Sequence, residues 1–233
     1  MPQELDHSTF IEQIERDGWA VTTPFVEAAC LDEIIAETEL SPIDGGGLRE
    51  VLTLSPATRR LARHPGVRQV AEAILGPECF VARAILFDKT DTANWKVAWH
   101  QDLTIAVRER LDMPGYGPWS LKEGVVHVQP TCDVLGRMLA VRVHLDDSTR
   151  DNGPLRVLPG SHRSGKLTPE EITAWKDRTA AVECLIKRGG ILAFRPLLLH
   201  ASSQAIHPQH RRVVHFEFVT GGLPGGLNWH TQV

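Results

Sequence analysis

The stretch CFVARAILFD, residues 79–88, marks the point at which the chain changes from helical to β character. It is rich in valine, isoleucine, leucine and phenylalanine, which is typical of a strand. The first third of the chain, before this stretch, predicts helices, one of which opens at Ser55-Pro56 with proline at its first position. The region after it predicts about eight short strands, punctuated by Gly, Pro, Asn and Asp.

This order of helices and then strands predicts a mainly β protein with flanking helices, an α+β fold whose core is a double-sheet jelly roll. A parallel α/β sheet would need helices between the strands, and only residues 169–176, behind Thr168, predict one. The 233 residues fit one domain, and no shift in composition suggests a second. We expect residues 1–78 to form mostly helical support and residues 79–220 to form the β core.

The composition is that of an ordinary globular protein, with 42% hydrophobic and 23% charged residues. A net charge of -4 gives no basic field for nucleic acid or anionic lipid. An enzyme or a binder of small molecules is therefore expected, without a nucleic-acid or membrane partner. The sequence leaves the oligomeric state open.

Cysteine usage and the opening residues predict the compartment. Residues 1–7 are polar and acidic and do not predict a signal peptide, and no apolar run approaches the ~20 residues that span a bilayer. The four cysteines lie far apart and form no C-x-x-C pair, which disfavours a zinc-thiolate or redox site. We therefore expect reduced thiols in a cytoplasmic protein.

The stretch WHQD, residues 99–102, is the first that suggests chemistry. Residues two apart in a strand point to the same face, so His100 and Asp102 could reach one metal ion together. Imidazole and carboxylate are suitable donors for a first-row divalent ion. A surface histidine and aspartate at the end of a strand would give the same pattern.

A second histidine, His200, ends a run of leucines in LLLHAS, residues 197–202. A buried histidine bonded to a backbone carbonyl would give this pattern too. Taken with His100 and Asp102, however, it completes the two-histidine, one-carboxylate set of non-haem iron oxygenases, which leaves coordination positions open.

Two further stretches could contribute to a ligand site or to the backbone that supports it. Arg211 and Arg212 open the predicted strand 213–220, and an arginine fork matches a carboxylate bidentately. Adjacent strand residues face opposite sides, so only one of the two can point inward. The stretch NGPLRVLPGSH, residues 152–162, carries two turn signals, and its preferred interpretation is a structural connection, which makes His162 a poor ligand.

Together these pieces resemble the phytanoyl-CoA dioxygenase (PhyH-like) family. The resemblance covers roughly residues 80–219 and is loose in the helical first third. It rests on four pieces in order: WHQD at 99–102, NGPLRVLPGSH at 152–162, HAS at 200–202, and Arg211, eleven residues after His200 (211 − 200 = 11). Each piece alone is weak evidence for the resemblance, whereas the four pieces in this order are specific for it.

The resemblance implies a double-stranded β-helix, cupin-like core that uses Fe(II), 2-oxoglutarate and O2. His100, Asp102 and His200 match the family's iron ligands. Arg211 matches the arginine that pairs with the distal carboxylate of 2-oxoglutarate, and Ser202 matches a serine that helps to hold it. Such enzymes convert 2-oxoglutarate to succinate and CO2 while hydroxylating a small molecule. Because relatives that halogenate replace the carboxylate with a small residue, Asp102 favours hydroxylation.

Other polar residues on the predicted strands are candidates for ligand contacts. Arg83 and Lys89 could meet a carboxylate of 2-oxoglutarate or of the substrate, although a lysine such as Lys89 is more often solvated. Arg142 and His144 share one face of the predicted strand 138–145, which is either an interior face suited to acidic ligands or the solvated face. Substrate contacts are also conceivable for four ring side chains, for most of which buried packing is the simpler account: Trp95, Trp99, Trp119 and His127.

Two alternatives remain at this point. A cupin-type metal enzyme that does not use 2-oxoglutarate would not require Arg211. A non-catalytic jelly-roll module that has kept a metal would bind it without turnover. The sequence does not name the substrate, because loops set the shape of such a pocket and fold analogy is a weak guide to it. Residues 108–124 and 163–178 look like those loops.

Overall fold

The computed structural model describes residues 7–39, 41 and 47–233, so the opening residues examined for a signal peptide lie almost entirely outside the described residues. The helical character of the first third is confirmed. Its described helices and strand are α1 (His7–Asp17), β1 (Trp19–Val21), α2 (Ala28–Thr38), α3 (Val51–Leu54), α4 (Pro56–Ala62) and α5 (Pro65–Leu75). None of the helices in the described part of the chain is long and apolar enough to cross a membrane.

Local signals explain where two of these helices begin. Both α4 and α5 have proline at their start, where the missing N–H costs no helical bond. Buried Ser55 caps α4, since its hydroxyl accepts a bond of 2.9 Å from the backbone N–H of Thr58. The four-residue α3 was not predicted, because a run this short cannot show helical periodicity.

The rest of the chain is mainly β, as predicted, with more strands than expected. The strands are β2 (Phe80–Lys89), β3 (Val97–His100), β4 (Ile105–Val107), β5 (Trp119–Lys122), β6 (Val125–Val128), β7 (Met138–His144), β8 (Leu155–Val157), β9 (Val182–Cys184), β10 (Ile191–Phe194), β11 (His200–Ser202) and β12 (Arg211–Val219). Two helices interrupt the series, α6 (Cys132–Gly136) and α7 (Pro169–Arg178). A capping box of Thr168 and Glu171 starts α7.

Three sheets order these strands. The largest has the order β1-β10-β7-β12-β2, the second β3-β11-β8-β9 and the smallest β4-β6-β5. Side chains from the first two sheets line a common cavity, as expected of a jelly roll, and the sheets do not close into a barrel. The predicted fold class is therefore confirmed.

Strand alternation divides the large sheet into an apolar and a polar face. One face, which includes Leu86, Val141 and Val214, packs with the buried side chains of the N-terminal helices into one apolar cluster. The opposite face looks into the interior. Its polar side chains are Arg83, Lys89, Arg142, His144, Arg211, His215 and Glu217. Arg142 and His144 of β7 therefore lie on the interior face and not on a solvated one.

The chain differs from expectation in two places. The leucines of residues 197–199 look like the start of a strand, but they lie in a turn, and β11 begins at His200, where the pairing with β8 starts. The segment 108–124 is not entirely a loop, since it contains β5. That strand is joined to β6 by a two-residue turn in which both Glu123 and Gly124 have positive φ, 49° and 80°. Glutamate at a position that usually carries Asn, Asp or Gly conceals this hairpin in the sequence.

Candidate active site

A cluster of two imidazoles and one carboxylate lies between the two larger sheets. His100 on β3 and His200 on β11 are direct cross-strand partners, with ring centroids 4.2 Å apart. Each Nε2 atom lies 3.6 Å from a different oxygen of Asp102. One ligand atom from each of the three residues lies within 4.8 Å of the others, close enough for a single metal ion.

Backbone carbonyls fix the orientation of both imidazoles. The Nδ1 atom of His100 lies 2.8 Å from the carbonyl of Ala98, and that of His200 lies 2.9 Å from the carbonyl of Leu198. A carbonyl can only accept, so each Nδ1 carries a hydrogen, and in the neutral form of either ring Nε2 presents a lone pair to the centre of the cluster. Burial lowers the pKa of His200 to about 4, which keeps this ring in the neutral form that binds metals.

Asp102 reaches the cluster by a route that differs from the prediction. Strand β3 ends at His100, so the alternation of a strand does not bring the two residues together. Instead, the N–H of Asp102 donates to the carbonyl of Pro196 at 2.9 Å. Burial alone would raise the pKa of Asp102, but the neighbouring His200 and His100 hold it well below its usual range. The carboxylate is therefore ionised, as a metal ligand must be.

Gln101, between His100 and Asp102, ties this segment to the rest of the cluster. Its side-chain amide donates to the carbonyls of Leu197 (2.7 Å) and Gly165 (2.8 Å), and its amide oxygen accepts from the N–H of Leu167 at 2.8 Å. The segment that carries Asp102 is thus bonded to the turn before His200. This role gave no signal in the sequence, because an amide between two ligands has no distinctive spacing.

A cavity of about 180 Å³ opens beside the cluster and is lined by three buried cations. These are Lys89 on β2, Arg142 on β7 and Arg211 on β12, each no more than 7% exposed. None of them forms a salt bridge within the described residues, and the Nε atoms of Arg142 and Arg211 have no hydrogen-bond partner there. Unpaired buried cations are costly, so an anion bound in this cavity would be stabilised by them.

The lowered pKa values of these three side chains reflect the same cost of burying unpaired positive charge. Burial lowers the pKa of Lys89 to about 7, with further contributions from Arg211 and Arg142. Burial likewise lowers the pKa of Arg142 to about 10, and burial together with Arg142 lowers that of Arg211 to about 9. The ammonium of Lys89 donates to the hydroxyl of Ser202 at 3.1 Å and to the carbonyl of Ser203, which places Ser202 at this end of the cavity.

The two adjacent arginines of β12 point in opposite directions. Arg211 lines the cavity, whereas Arg212 turns away and makes two bonds of 2.8 Å to the carboxylate of Asp146. Strand alternation requires such a split but does not by itself say which residue points inward. The structure places Arg211 in the interior.

The far end of the same interior face carries an ion pair. Arg211 pairs in register with Lys89 on β2, and six residues further along β12 Glu217 pairs in register with Arg83 (217 − 211 = 6). The guanidinium of Arg83 donates to the carboxylate of Glu217, and the Nε2 atom of His215 lies 3.8 Å from that carboxylate. Arg83 is therefore far from the end of the cavity that holds Arg211. Sequence reasoning missed His215 and Glu217, although the i, i+2 spacing from Arg211 could have found them.

Comparison with known proteins agrees with this arrangement. A sequence model of the family described as phytanoyl-CoA dioxygenase (PhyH) matches residues 43–213. The chain belongs to the phytanoyl-CoA dioxygenase family. An ectoine dioxygenase from Sphingopyxis alaskensis is 28% identical over 138 residues, which cover 59% of this chain and 38% of that protein. An L-proline trans-4-hydroxylase from Streptomyces griseoviridis is 28% identical over 183 residues, which cover 66% of this chain and 60% of that protein. The chain thus spans less than two thirds of these curated relatives.

A solved structure supports the same fold. The crystal structure of EctD from S. alaskensis with 2-oxoglutarate and 5-hydroxyectoine has a TM-score of 0.67 to this chain at 22% identity, covering 90% of this chain and 74% of that one. The jelly-roll core found here is therefore shared with another protein that is dissimilar in most of its residues.

Some of the remaining candidate residues lie away from the cavity beside the cluster of His100, Asp102 and His200, which is called the metal-side cavity below. Trp95 lines this cavity, whereas His144 is buried and neither of its ring nitrogens has a hydrogen-bond partner among the described residues. Trp119 packs against an apolar cluster under the guanidinium of Arg110. The guanidinium of Arg156 lies 5.6 Å from the ring centroid of Trp99. The last of the set, His127, lines a separate cavity.

Proposed function

We propose that the chain is an Fe(II)- and 2-oxoglutarate-dependent dioxygenase that hydroxylates a small molecule and releases succinate and CO2. The observation that carries this proposal is one interior that combines a His-Asp-His cluster with three unpaired cations. Membership of the phytanoyl-CoA dioxygenase family supports it. So do the names of two relatives, which act on ectoine and on L-proline.

The residues present fit the metal. Two imidazole nitrogens and one ionised carboxylate converge on one point, which is the donor set of non-haem iron oxygenases. We assign His100, Asp102 and His200 as the ligands and as the catalytic centre. When bound there, Fe(II) with O2 and 2-oxoglutarate supplies the oxidising chemistry, and the protein supplies orientation and shielding.

The cations fit the co-substrate. We assign Arg211 to the distal carboxylate of 2-oxoglutarate, with Ser202 and Lys89 as further donors at the same end of the cavity. A planar guanidinium offers two parallel bonds to a carboxylate, and burial makes that pairing stronger than it would be in water. A cupin-type enzyme without 2-oxoglutarate would have no need for this arrangement of unpaired charge.

Turnover itself tests the proposal. Purified protein with Fe(II), O2 and 2-oxoglutarate should produce succinate, slowly alone and faster with an accepted compound from a metabolite library. Succinate is quantified by mass spectrometry, and omission of Fe(II) is the control. Metal binding without any succinate would favour the non-catalytic binding module instead.

The carboxylate of Asp102 predicts the type of product. With an accepted substrate and added chloride, the wild-type protein should hydroxylate and not chlorinate, because Asp102 occupies the coordination position that a halide would need. The variant Asp102→Gly should lose hydroxylation, since it lacks one of three ligands. Mass spectrometry separates the two products by their masses and isotope patterns. A chlorinated product from the wild-type protein would contradict the assignment.

Domain organisation and location are part of the proposal. One apolar cluster joins the N-terminal helices to the large sheet, which supports a single domain over residues 1–233 with residues 1–78 as helical support and 79–220 as the β core. All four cysteines are free thiols, which supports a cytoplasmic location.

A further inference from the structure

A second, smaller cavity of about 70 Å³ adjoins the metal-side cavity. Its walls come from β2, the β5–β6 hairpin, the residues around α3 and the C-terminal segment. Arg83 lines both cavities, and its partner Glu217 lines the larger one, so the side chain of Arg83 lies between the two. A molecule bound in the second cavity would therefore lie next to the end of the interior that Arg211 does not reach.

His127 presents a hydrogen-bond acceptor in this cavity. It is 1% exposed, and its Nδ1 lies 3.0 Å from the carbonyl of Val125, which can only accept. The other ring nitrogen, Nε2, therefore carries a lone pair, and it is buried without a partner among the described residues. Burial, together with Arg83 and Lys122, lowers the pKa of His127 to about 4, so the ring stays neutral. A ligand N–H or O–H would satisfy Nε2.

Lys122 supplies an unmatched positive charge in the same cavity. The two arginines of the cavity are each paired, Arg49 with Glu123 and Arg83 with Glu217. Lys122 has neither a salt bridge nor a hydrogen bond in the described part of the chain, and burial, Arg83 and Arg49 all lower its pKa.

The cavity's remaining carboxylate, Glu50, is exposed, so solvent screens its charge from Lys122. One surplus charge in a small space suits a monoanion better than a dianion such as phosphate.

We propose that the second cavity binds the carboxylate of the substrate, with Lys122 and the free Nε–H of Arg83 as donors and with His127 accepting from a neighbouring hydroxyl or amino group. The substrate class is then a small hydroxy or amino acid, whose remaining carbons extend past Arg83 toward the metal ligands. This inference rests on the proposed function, because it assigns the cavity to the substrate of the same metal site.

Binding of small probes without turnover tests this assignment. The full chain is loaded with zinc, which has no redox chemistry, and with enough 2-oxoglutarate to fill the site at Arg211. Glycolate, acetate and phosphate are then titrated and followed by NMR. Glycolate should bind more tightly than acetate, because only glycolate has a hydroxyl for His127, and more tightly than phosphate. The variant Lys122→Met should weaken glycolate roughly tenfold or more, as expected for a hydrogen bond to a charged group.

Matched variants separate this proposal from the proposed function. Lys176→Met, at an exposed lysine of α7, should bind glycolate like the wild-type protein. His127→Phe should bind glycolate and acetate equally, whereas His127→Gln should keep some preference for glycolate. 2-Oxoglutarate binding should be unchanged in Lys122→Met. Equal glycolate binding by the wild type and Lys122→Met, no binding by the wild type, or tighter phosphate binding would each overturn the inference. Loss of 2-oxoglutarate binding in Lys122→Met would overturn it as well, by placing the co-substrate in this cavity.

Discussion

Replacing Arg211 with alanine should raise the KM for 2-oxoglutarate by a factor on the order of 100 or more. Arg211 is 3% exposed in the interior and has no salt-bridge partner in the described part of the chain, so a bound dicarboxylate would be its counterion. Removing one partner of a buried ion pair costs about 3–5 kcal/mol, because the other charge is left unpaired. Arg211→Lys should recover only part of the loss, since lysine offers a point charge in place of a planar fork.

The neighbouring residue provides a matched control. Arg212→Ala removes the same side chain from the adjacent position, where it pairs with Asp146 away from the cavity, so its effect on this KM should be small. Iron content should be normal in both variants, because neither arginine belongs to the metal cluster. A severe defect in Arg212→Ala with a normal Arg211→Ala would show that the wrong arginine was assigned. No effect from either would remove 2-oxoglutarate from the proposed function and favour the cupin alternative.

Replacing either histidine of the cluster with alanine should abolish turnover. His100→Ala and His200→Ala each remove one of three donors, and the loss of metal affinity should exceed the roughly 10- to 100-fold typical of losing a residue that only supports a ligand. Metal analysis of purified protein should give one iron per chain for the wild type and little for the variants. Succinate formation should fall with it.

A histidine outside the cluster controls for the loss of an imidazole. The ring of His210 pairs with Asp88 at 2.7 Å and its side chain is largely exposed, so His210→Ala should keep both iron and activity. Normal activity in His100→Ala or His200→Ala would mean that the ligand assignment is wrong.

The fold class could be predicted because its signals are local. Helical spacing, proline at helix starts and turn residues between β-branched runs can all be read within a few residues, and they placed the change from helix to strand near Cys79 correctly. The hairpin at Glu123 and Gly124 escaped prediction because its turn uses a residue that rarely adopts positive φ.

The candidate site could be predicted only for those residues whose types and spacing form a recognisable pattern. His100, Asp102 and His200 form a recognisable set, although Asp102 reaches the cluster through a bond to Pro196 and not through strand alternation. The pairing of Glu217 with Arg83 depends on the register of two strands that are distant in the chain, which no local pattern specifies.

The bonds of Gln101 should affect how the proposed metal ion enters and leaves. This one amide bonds to the turn before His200 and to the segment around Gly165, and its backbone adjoins Asp102, so we expect it to hold the three proposed ligands in position without an ion. Ordering loops on binding normally subtracts from affinity, at about 0.5–1.5 kcal/mol for each immobilised side chain. A pre-arranged centre avoids that entropic penalty, so the ion should load without help from the co-substrate and leave slowly once bound.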